Sequence, residues 1–584
     1  MEEIEKLDNE DMRKYSNDYN ARLLVALMKE HGIKRIIASP GTTNLAIVGS
    51  MQHDSFFTIY SCVDERSAAY MACGMAAESG ETVAIVCTGA TASRNYLPAL
   101  TEAFYRKLPI LAICGSHGES MIGHLHSQVI DRTQPPKDTL VYKTFINPAI
   151  SDDLKWYNNV EINKALIRLR QHGGGPVMIN IVANAYKPFG FDKLPSPRVI
   201  QLISKEDDFP ILPEGRIALF VGSHKQMSQE LQNTIDSFCE SHNAVVFCDN
   251  TSGYQGRYRF VSTLVHGQYG LFRKFDNPTL LIHLGEISGD TYTTKQLKPK
   301  KVWRVSPDGE IRDLFKKLEY TFEIEEIDFF QHYISNAKGD DSYLKECQGT
   351  YDEIFKKMPE VGFSNIYVAS QLVPRLPRNS VIHFGIFNSL RTWNFFLLDS
   401  SIHSSCNVGG FGIDGACSTL IGAALVNPEK IYYLCVGDLA FFYDLNVLGN
   451  RHVPSNIRII LIDNGRGVEF RKKDHPGSKF GNEADLYIAA GGHNGNQSVK
   501  VVKNFVSSLG FEYLSATSKK EFLEVSDRFV NPKNDNRPML LEVFVNQKDD
   551  VVDLEKLRNI LKDERPIVER LKGIAKDEIK KILE

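Results

Sequence analysis

The run from Ile431 to Val436 leads straight into Gly437-Asp438-Leu439, and the run from Ile457 to Ile462 leads into Asp463-Asn464-Gly465. The stretch between them reads as loop and helix, so both polar triplets fall at the carboxyl ends of strands in one parallel sheet. Asp438 and Asn464 thereby carry a carboxylate and an amide oxygen to the same sheet edge. Hard oxygens of this kind suit a small divalent cation such as Mg²⁺, which demands octahedral geometry and shares its ligands with phosphates. A glycine after each strand lets the backbone turn tightly, and a helix starting near Ala440 offers free N–H groups to an anion. Either triplet alone is ordinary turn chemistry. Together they describe a metal-diphosphate site at the edge of a doubly wound sheet.

Working outward, a chain of 584 residues is too long for one core and predicts three or four domains. With 68 basic against 72 acidic residues the net charge is −4, which excludes the basic footprint of nucleic-acid or membrane-surface binding and leaves a small-molecule partner. The cysteines are scattered, several inside apolar strands and none in a C-x-x-C pair, and read as buried small hydrophobes in a reducing compartment. The first residues, MEEIEKLDNEDMRKYSN, are acidic and polar where a secretory signal needs an apolar run, and no long apolar window follows. A cytoplasmic location is the expectation.

Three regions share an α/β grammar, predicting three doubly wound parallel-sheet domains at 1–190, 191–360 and 361–584. In the first, expected strands at 33–38, 58–63, 82–87, 110–114 and 176–182 alternate with helices, one of them the alanine-rich Ser67 to Ala77. The middle region has expected strands at 217–221, 244–248, 280–284 and 301–305 and no assignable motif; an acidic linker runs from Glu323 to Asp341. The third repeats the theme from Ser380 through Gly409-Gly410-Phe411-Gly412-Ile413-Asp414-Gly415 and a small-residue helix, Ala416 to Val426, to a last strand at Met539 to Val545. The charged tail from Asp549, broken at Pro566, reads as a surface or interface helix.

A second motif, Asp64-Glu65-Arg66-Ser67-Ala68-Ala69, stands where a strand hands over to a helix. Acidic residues there ordinarily cap the helix and answer its dipole. Taken with Ser39-Pro40-Gly41, Thr88-Gly89, Asn95-Tyr96-Leu97-Pro98-Ala99, Gly412-Ile413-Asp414-Gly415 and Gly437-Asp438-Leu439 with Asp444-Leu445-Asn446, however, it resembles the thiamine diphosphate enzymes of the acetolactate synthase and pyruvate decarboxylase type. Within these the chain is most similar to the menaquinone-pathway carboligases, and the resemblance covers nearly its whole length.

The resemblance implies that the first and last domains bind the aminopyrimidine and the diphosphate of thiamine diphosphate. Glu65 would hydrogen-bond N1′ of the pyrimidine and promote the imino tautomer that activates the thiazolium carbon, in a dry pocket that raises its pKa. Asp438, Asn464 and the backbone carbonyl of Arg466 would hold Mg²⁺ or Mn²⁺. Pro40, Gly41, Asn95, Ser389, Gly412, Ile413, Gly437, Leu439 and Ala440 would complete the cofactor site, with Ile413 wedging the cofactor into its bent shape. Gln128 and His117 would approach the reacting atoms. A homodimer or tetramer with active sites between subunits is implied as well. The activity implied is decarboxylation of a 2-oxo acid followed by carboligation of the enamine to an acceptor; a non-ligating decarboxylase and a catalytically silent subunit are the alternatives.

The chain departs from its relatives' pattern where they use cations to bind 2-oxoglutarate and isochorismate. Thr42-Thr43, Gly115-Ser116-His117, Val408, Trp393 and Asp290-Thr291 occupy those positions. Each lost charge-assisted hydrogen bond costs about 1.5–3 kcal/mol. The inherited cofactor machinery therefore serves a changed reactant, for which Trp393, Phe411 and Val408 suggest a more aromatic or apolar body and Arg391, Arg94 or Arg132 offers a relocated carboxylate anchor. His117, His124 and His126 cluster near the segment Gly123 to Gln128 and could pass protons near neutrality.

Overall fold

In the computed structural model, residues 14–561 are described, apart from 338, 495, 534 and 535. The acidic first residues and the Pro566 break of the tail lie outside them. The chain forms two compact units, Met1–Asp207 with Gly309–Thr321 and Asp208–Asp308 with Phe322–Glu584.

The first unit is built on a six-stranded parallel sheet in the order Thr58–Ser61, Arg35–Ala38, Val83–Thr88, Ile110–Gly115, Val177–Ile181, Tyr142–Ile146. Its central strands read as unbroken apolar runs because both faces are covered. Val83, Ile85 and Cys87 point to one side, against Ala68, Ala69 and Ala72 of the helix Glu65–Ser79 and Ala99 and Ala103 of Leu97–Tyr105. Ala84 and Val86 point to the other, against Leu24 and Leu27 of Tyr19–Glu30, Ile47 of Leu45–Gln52 and Ile162 of Asp152–Arg168. Each buried Val, Ile or Leu contributes about 1.5–3 kcal/mol, so this two-sided core fixes where the strand ends emerge. Gly41 belongs to that fixing: a Cβ there would lie 2.7 Å from Thr88 Cβ, so only glycine lets the Ser39-Pro40-Gly41 turn seat on the strand end.

The second unit carries two parallel sheets. One contains Arg259–Val261, Val245–Cys248, Ile217–Val221, Leu280–Leu284 and Lys301–Val305 in that order. The other runs His403–Cys406, Val381–Phe384, Tyr432–Gly437, Ile457–Asp463, Met539–Phe544, Glu512–Ala516. Leu434, Val436, Ile459 and Leu461 pack against Leu420, Ile421 and Ala424 of the helix Ala416–Val426. The α/β architecture with several doubly wound sheets is thus as expected.

Two local expectations change. The helix expected near Ala440 begins at Asp438 and spans Asp438–Tyr443. The helix Gln547–Arg558, expected to be a surface or interface helix, buries Asp553, Leu554, Leu557 and Arg558. All ten cysteines are free thiols, and all but Cys62 are buried. Among the described residues no helix is long and apolar enough to cross a membrane.

Candidate active site

In the last sheet, Tyr432–Gly437 pairs with Ile457–Asp463 in a register that sets Gly437 opposite Ile462, so the two polar triplets leave the sheet side by side. Asp438 is the first helical residue, with Gly437 as N-cap. Its carboxyl is buried, and Oδ1 accepts the Leu439 N–H at 2.7 Å. Asp463, read from sequence only as a turn residue, is equally buried and accepts the Gly465 N–H at 3.1 Å. Leu439, Gly465 and Arg466 join the two carboxyls around a small cavity. Gly465 supplies the turn with φ 76°, a conformation that favours glycine.

Burial raises the Asp438 carboxyl and the charge of Asp463 raises it further; burial raises Asp463 as well. Two buried carboxyls in contact are costly, and a divalent cation between them removes that cost. The donor set therefore fits Mg²⁺ or Mn²⁺. At Gly437, Gly409 and Gly410 an added Cβ would meet nothing within 4 Å, so their backbone stands open.

Asn464 is held differently. Its Nδ2 donates to Asp550 Oδ2 at 3.2 Å and its Oδ1 accepts the Arg466 N–H at 3.3 Å. Asp550 also accepts the Asn365 N–H at 2.6 Å, and burial pushes its carboxyl up to about 7. A buried carboxylate that fixes the amide of a candidate metal ligand went unread in the sequence, because a charged helix gives no sign that one of its acids faces inward. The Arg466 guanidinium pairs with Asp485. Ala440 is buried in the helix Asp438–Tyr443, Ser389 is buried at the start of the short helix Asn388–Trp393, and Ile413 packs half-buried on the core of the last sheet, next to Gly412.

In the first unit Asp64, not Glu65, caps the helix Glu65–Ser79, accepting from Arg66 N at 2.9 Å and Ser67 Oγ at 3.0 Å. These bonds, led by that of Ser67, hold the Asp64 carboxyl below its usual value. Relieved of capping, Glu65 accepts from Asn95 Nδ2 at 3.4 Å. It is only partly buried, so this chain alone does not form the dry pocket expected around it.

Gln128 and His117 come together with Thr43 around a second cavity at the ends of Val83–Thr88 and Ile110–Gly115. Gln128 reaches it from a left-handed conformation, φ 60°. His124 and His126 are exposed and do not line it, so the expected three-histidine cluster reduces to His117. Among the described residues no group of three or more His, Cys, Asp or Glu is arranged to hold a metal.

The positions that lack the relatives' cations have structural duties. Thr43 Oγ1 donates to Gly115 O at 2.9 Å. Asp290 caps the helix Thr291–Gln296, accepting Tyr292 N at 2.9 Å, and also accepts from Thr263 Oγ1 at 2.9 Å. Trp393 is fully buried and donates from Nε1 to Asn365 Oδ1 at 3.3 Å, and Val408 is buried too. These two are core residues and do not make an aromatic reactant wall; Phe411 alone is half-exposed, edge-on to Phe387. Arg391 is bound to Glu469 at 2.6 Å, a carboxylate it shares with Lys472, and Arg94 is exposed and donates to Asp131 O at 2.6 Å.

Residues 20–134 match the family described as thiamine pyrophosphate enzyme, N-terminal TPP binding domain. The chain belongs to the thiamine diphosphate-dependent enzymes. It is 30% identical over 559 residues to the 2-succinyl-5-enolpyruvyl-6-hydroxy-3-cyclohexene-1-carboxylate synthase of Bacteroides fragilis, spanning 92% of this chain and 98% of that protein. The synthases of the same name from Bacteroides thetaiotaomicron, 30% identical over 565 residues, and Christiangramia forsetii, 28% identical over 581 residues, are covered to 97% by 92% of this chain.

Proposed function

We propose that the protein catalyses thiamine diphosphate- and Mg²⁺-dependent decarboxylation of a 2-oxo acid followed by carboligation to an acceptor. The observation that carries this reading is the buried carboxyl pair Asp438 and Asp463 at a sheet-edge cavity, which calls for a cation. When bound, thiamine diphosphate supplies the nucleophilic carbon that adds to the oxo group and holds the electron pair released with CO₂. Asp438, Asn464 and the Arg466 carbonyl would hold the cation, with the Asp463 carboxyl beside them. Gly437, Leu439, Ala440, Ser389 and Gly412 would hold the diphosphate, and Ile413 would support the ring system. Glu65, near Asn95, Pro40 and Gly41, would hold a proton at the ring nitrogen of the pyrimidine. His117 delivers a proton to the acceptor's carbonyl oxygen and Gln128 orients it.

The reactants differ from the pair used by the menaquinone-pathway carboligases, because the cation positions are spent on helix capping, core packing and loop anchoring. The enzyme works in the cytoplasm as a homodimer or homotetramer, on small molecules, away from nucleic acid and membrane. The test is incubation of purified protein, thiamine diphosphate and Mg²⁺ with 2-oxo acids, with and without an aldehyde. The expected result is CO₂ release with a hydroxyketone product, falling about 10²- to 10⁴-fold in Glu65→Gln. Aldehyde as the sole product refutes the ligase reading, and equal turnover by Glu65→Gln refutes the mechanism.

A further inference from the structure

We propose that Arg132 is the carboxylate anchor of the reactant pocket in the first unit. The inference rests on the reading of the chain as a 2-oxo acid carboligase, and it names the chemistry its pocket selects. The pocket is the open cleft at the ends of Val83–Thr88 and Ile110–Gly115, and Arg132 lines it with Thr43, Ser116, His117 and Gln128.

Three features converge on Arg132. Its Nη2 donates to Ser116 Oγ, while its Nη1 is buried and has no hydrogen-bond partner. A guanidinium donor shut away from water without an acceptor is expensive, so the group is poised for an incoming anion. Two glycines clear its surroundings. A Cβ at Gly89 would stand 3.3 Å from Arg132 Nη2, and a Cβ at Gly115 would stand 2.4 Å from Thr43 O. Gly115 thus admits the loop that bears Thr43, whose hydroxyl turns back onto the strand and leaves the cavity to Arg132. Finally, the charge on the wall is matched to a single carboxylate. Arg132 and Lys143 stand against Glu119, one positive charge in excess, and Lys143 is already donating to Thr133 O. The other arginines that the sequence offered for this duty are committed elsewhere, Arg391 to Glu469 and Arg94 to Asp131 O.

The carboxylate held by Arg132 is one that survives the reaction. An ion pair on the carboxylate that leaves as CO₂ would stabilise the charge that must disappear and so oppose the chemistry. The anchored group is therefore the distal carboxylate of the donor or the carboxylate of the acceptor.

The experiment compares wild type, Arg132→Gln and Arg132→Lys as full chains with thiamine diphosphate and Mg²⁺. The donor arm measures kcat/KM for 2-oxoglutarate against 2-oxopentanoate; the acceptor arm measures 3-formylbenzoate against benzaldehyde with a common donor. The expected result is that wild type prefers the acid in one arm, and that Arg132→Gln lowers that preference at least tenfold through KM. The neutral analogue and thiamine diphosphate affinity should be unchanged, with partial rescue by Arg132→Lys. The arm that responds identifies which reactant carries the carboxylate. No acid preference in wild type, ratios unchanged in Arg132→Gln, or equal loss for acid and neutral analogue each overturn the proposal. Should no 2-oxo acid be turned over, the carboligase reading fails separately, and calorimetric titration with glutarate still decides the anchor: weaker binding in Arg132→Gln supports it and equal or absent binding overturns it.

Discussion

The first and last sheets of this chain are the same object built twice. Numbered by their own strands, both run 2-1-3-4-6-5 with every pair parallel, and both open a cavity at the carboxyl ends of the third and fourth strands. Their charges are opposite. In the last sheet those ends are Gly437-Asp438 and Asp463-Asn464, two buried acids that call for a cation; in the first they are Thr88-Gly89 and Gly115-Ser116, neutral and narrow, facing the Arg132 guanidinium. The common topology decides where ligands collect, since crevices beyond the carboxyl ends of strands are where open α/β sheets bind them. The residues of the turns decide what is collected. Neither cavity owes its chemistry to the sheet beneath it.

The comparison breaks most severely at Asp438. Asp438→Asn removes a charged cation ligand, and thiamine diphosphate affinity in the presence of Mg²⁺ should fall on the order of 1,000-fold, read by fluorescence or calorimetric titration. Affinity should be nearly unchanged in Arg132→Gln, the corresponding change in the other cavity. An Asp438→Asn protein that binds the cofactor as wild type does would show that the acid pair is structural.

Central strands in all three sheets were legible because a strand buried on both faces must be apolar throughout: Ile217–Val221, Leu280–Leu284 and Lys301–Val305 fall where the sequence placed them, and the other strands it placed lie within a few residues. The edge strand Tyr142–Ile146 was not, since Lys143 and Thr144 break its apolar run and it has neighbours on one side only. At the site, Asp438 and Glu65 could be read because their chemistry is carried by short local motifs. Asp550 could not, for it acts on a residue brought near only by the fold, and Arg132 could be offered only as one of three arginines until the fold set it against Ser116. Trp393 misled for the same reason, an aromatic ring being equally at home in a core and in a pocket wall.

A smaller difference between the two sheets lies in their interiors. The third residue of the first strand is Ile37 in one and His383 in the other, each paired with the third residue of the neighbouring strand. His383 is buried, with Nδ1 2.8 Å from Ser405 Oγ and Nε2 unpartnered, and burial pushes it down from 6.5 to about 4. The folded state resists a proton that the unfolded chain accepts, so this contribution is complete above about pH 6.5 and is lost as pH falls towards 4. It amounts to roughly 3 kcal/mol. Thermal denaturation of wild type and His383→Leu at pH 7 and pH 4.5 should show a steeper loss for wild type, and parallel losses would assign the acid sensitivity elsewhere.

The smallest of these effects is the most informative about how a turn is made to bind. Asn464 would be an ordinary turn residue but for Asp550, which takes its Nδ2 and so leaves Oδ1 facing the Arg466 N–H. An amide free to flip would present nitrogen to a cation half of the time, and nitrogen donors repel one. Asp550→Ala should therefore weaken Mg²⁺-dependent cofactor binding about tenfold, the usual scale for a group that orients a metal ligand. The loss should appear as a higher half-saturating Mg²⁺ concentration, with kcat at saturating Mg²⁺ nearly restored. A merely structural role predicts the reverse, a fall in thermal stability with the Mg²⁺ curve unmoved. The counterpart in the first sheet is Ser116, which accepts from Arg132 Nη2 and so sets the guanidinium that faces the reactant. In both cavities the group that meets the ligand is aimed by a partner the fold supplies, and the aiming contacts join residues 464 with 550 and 116 with 132.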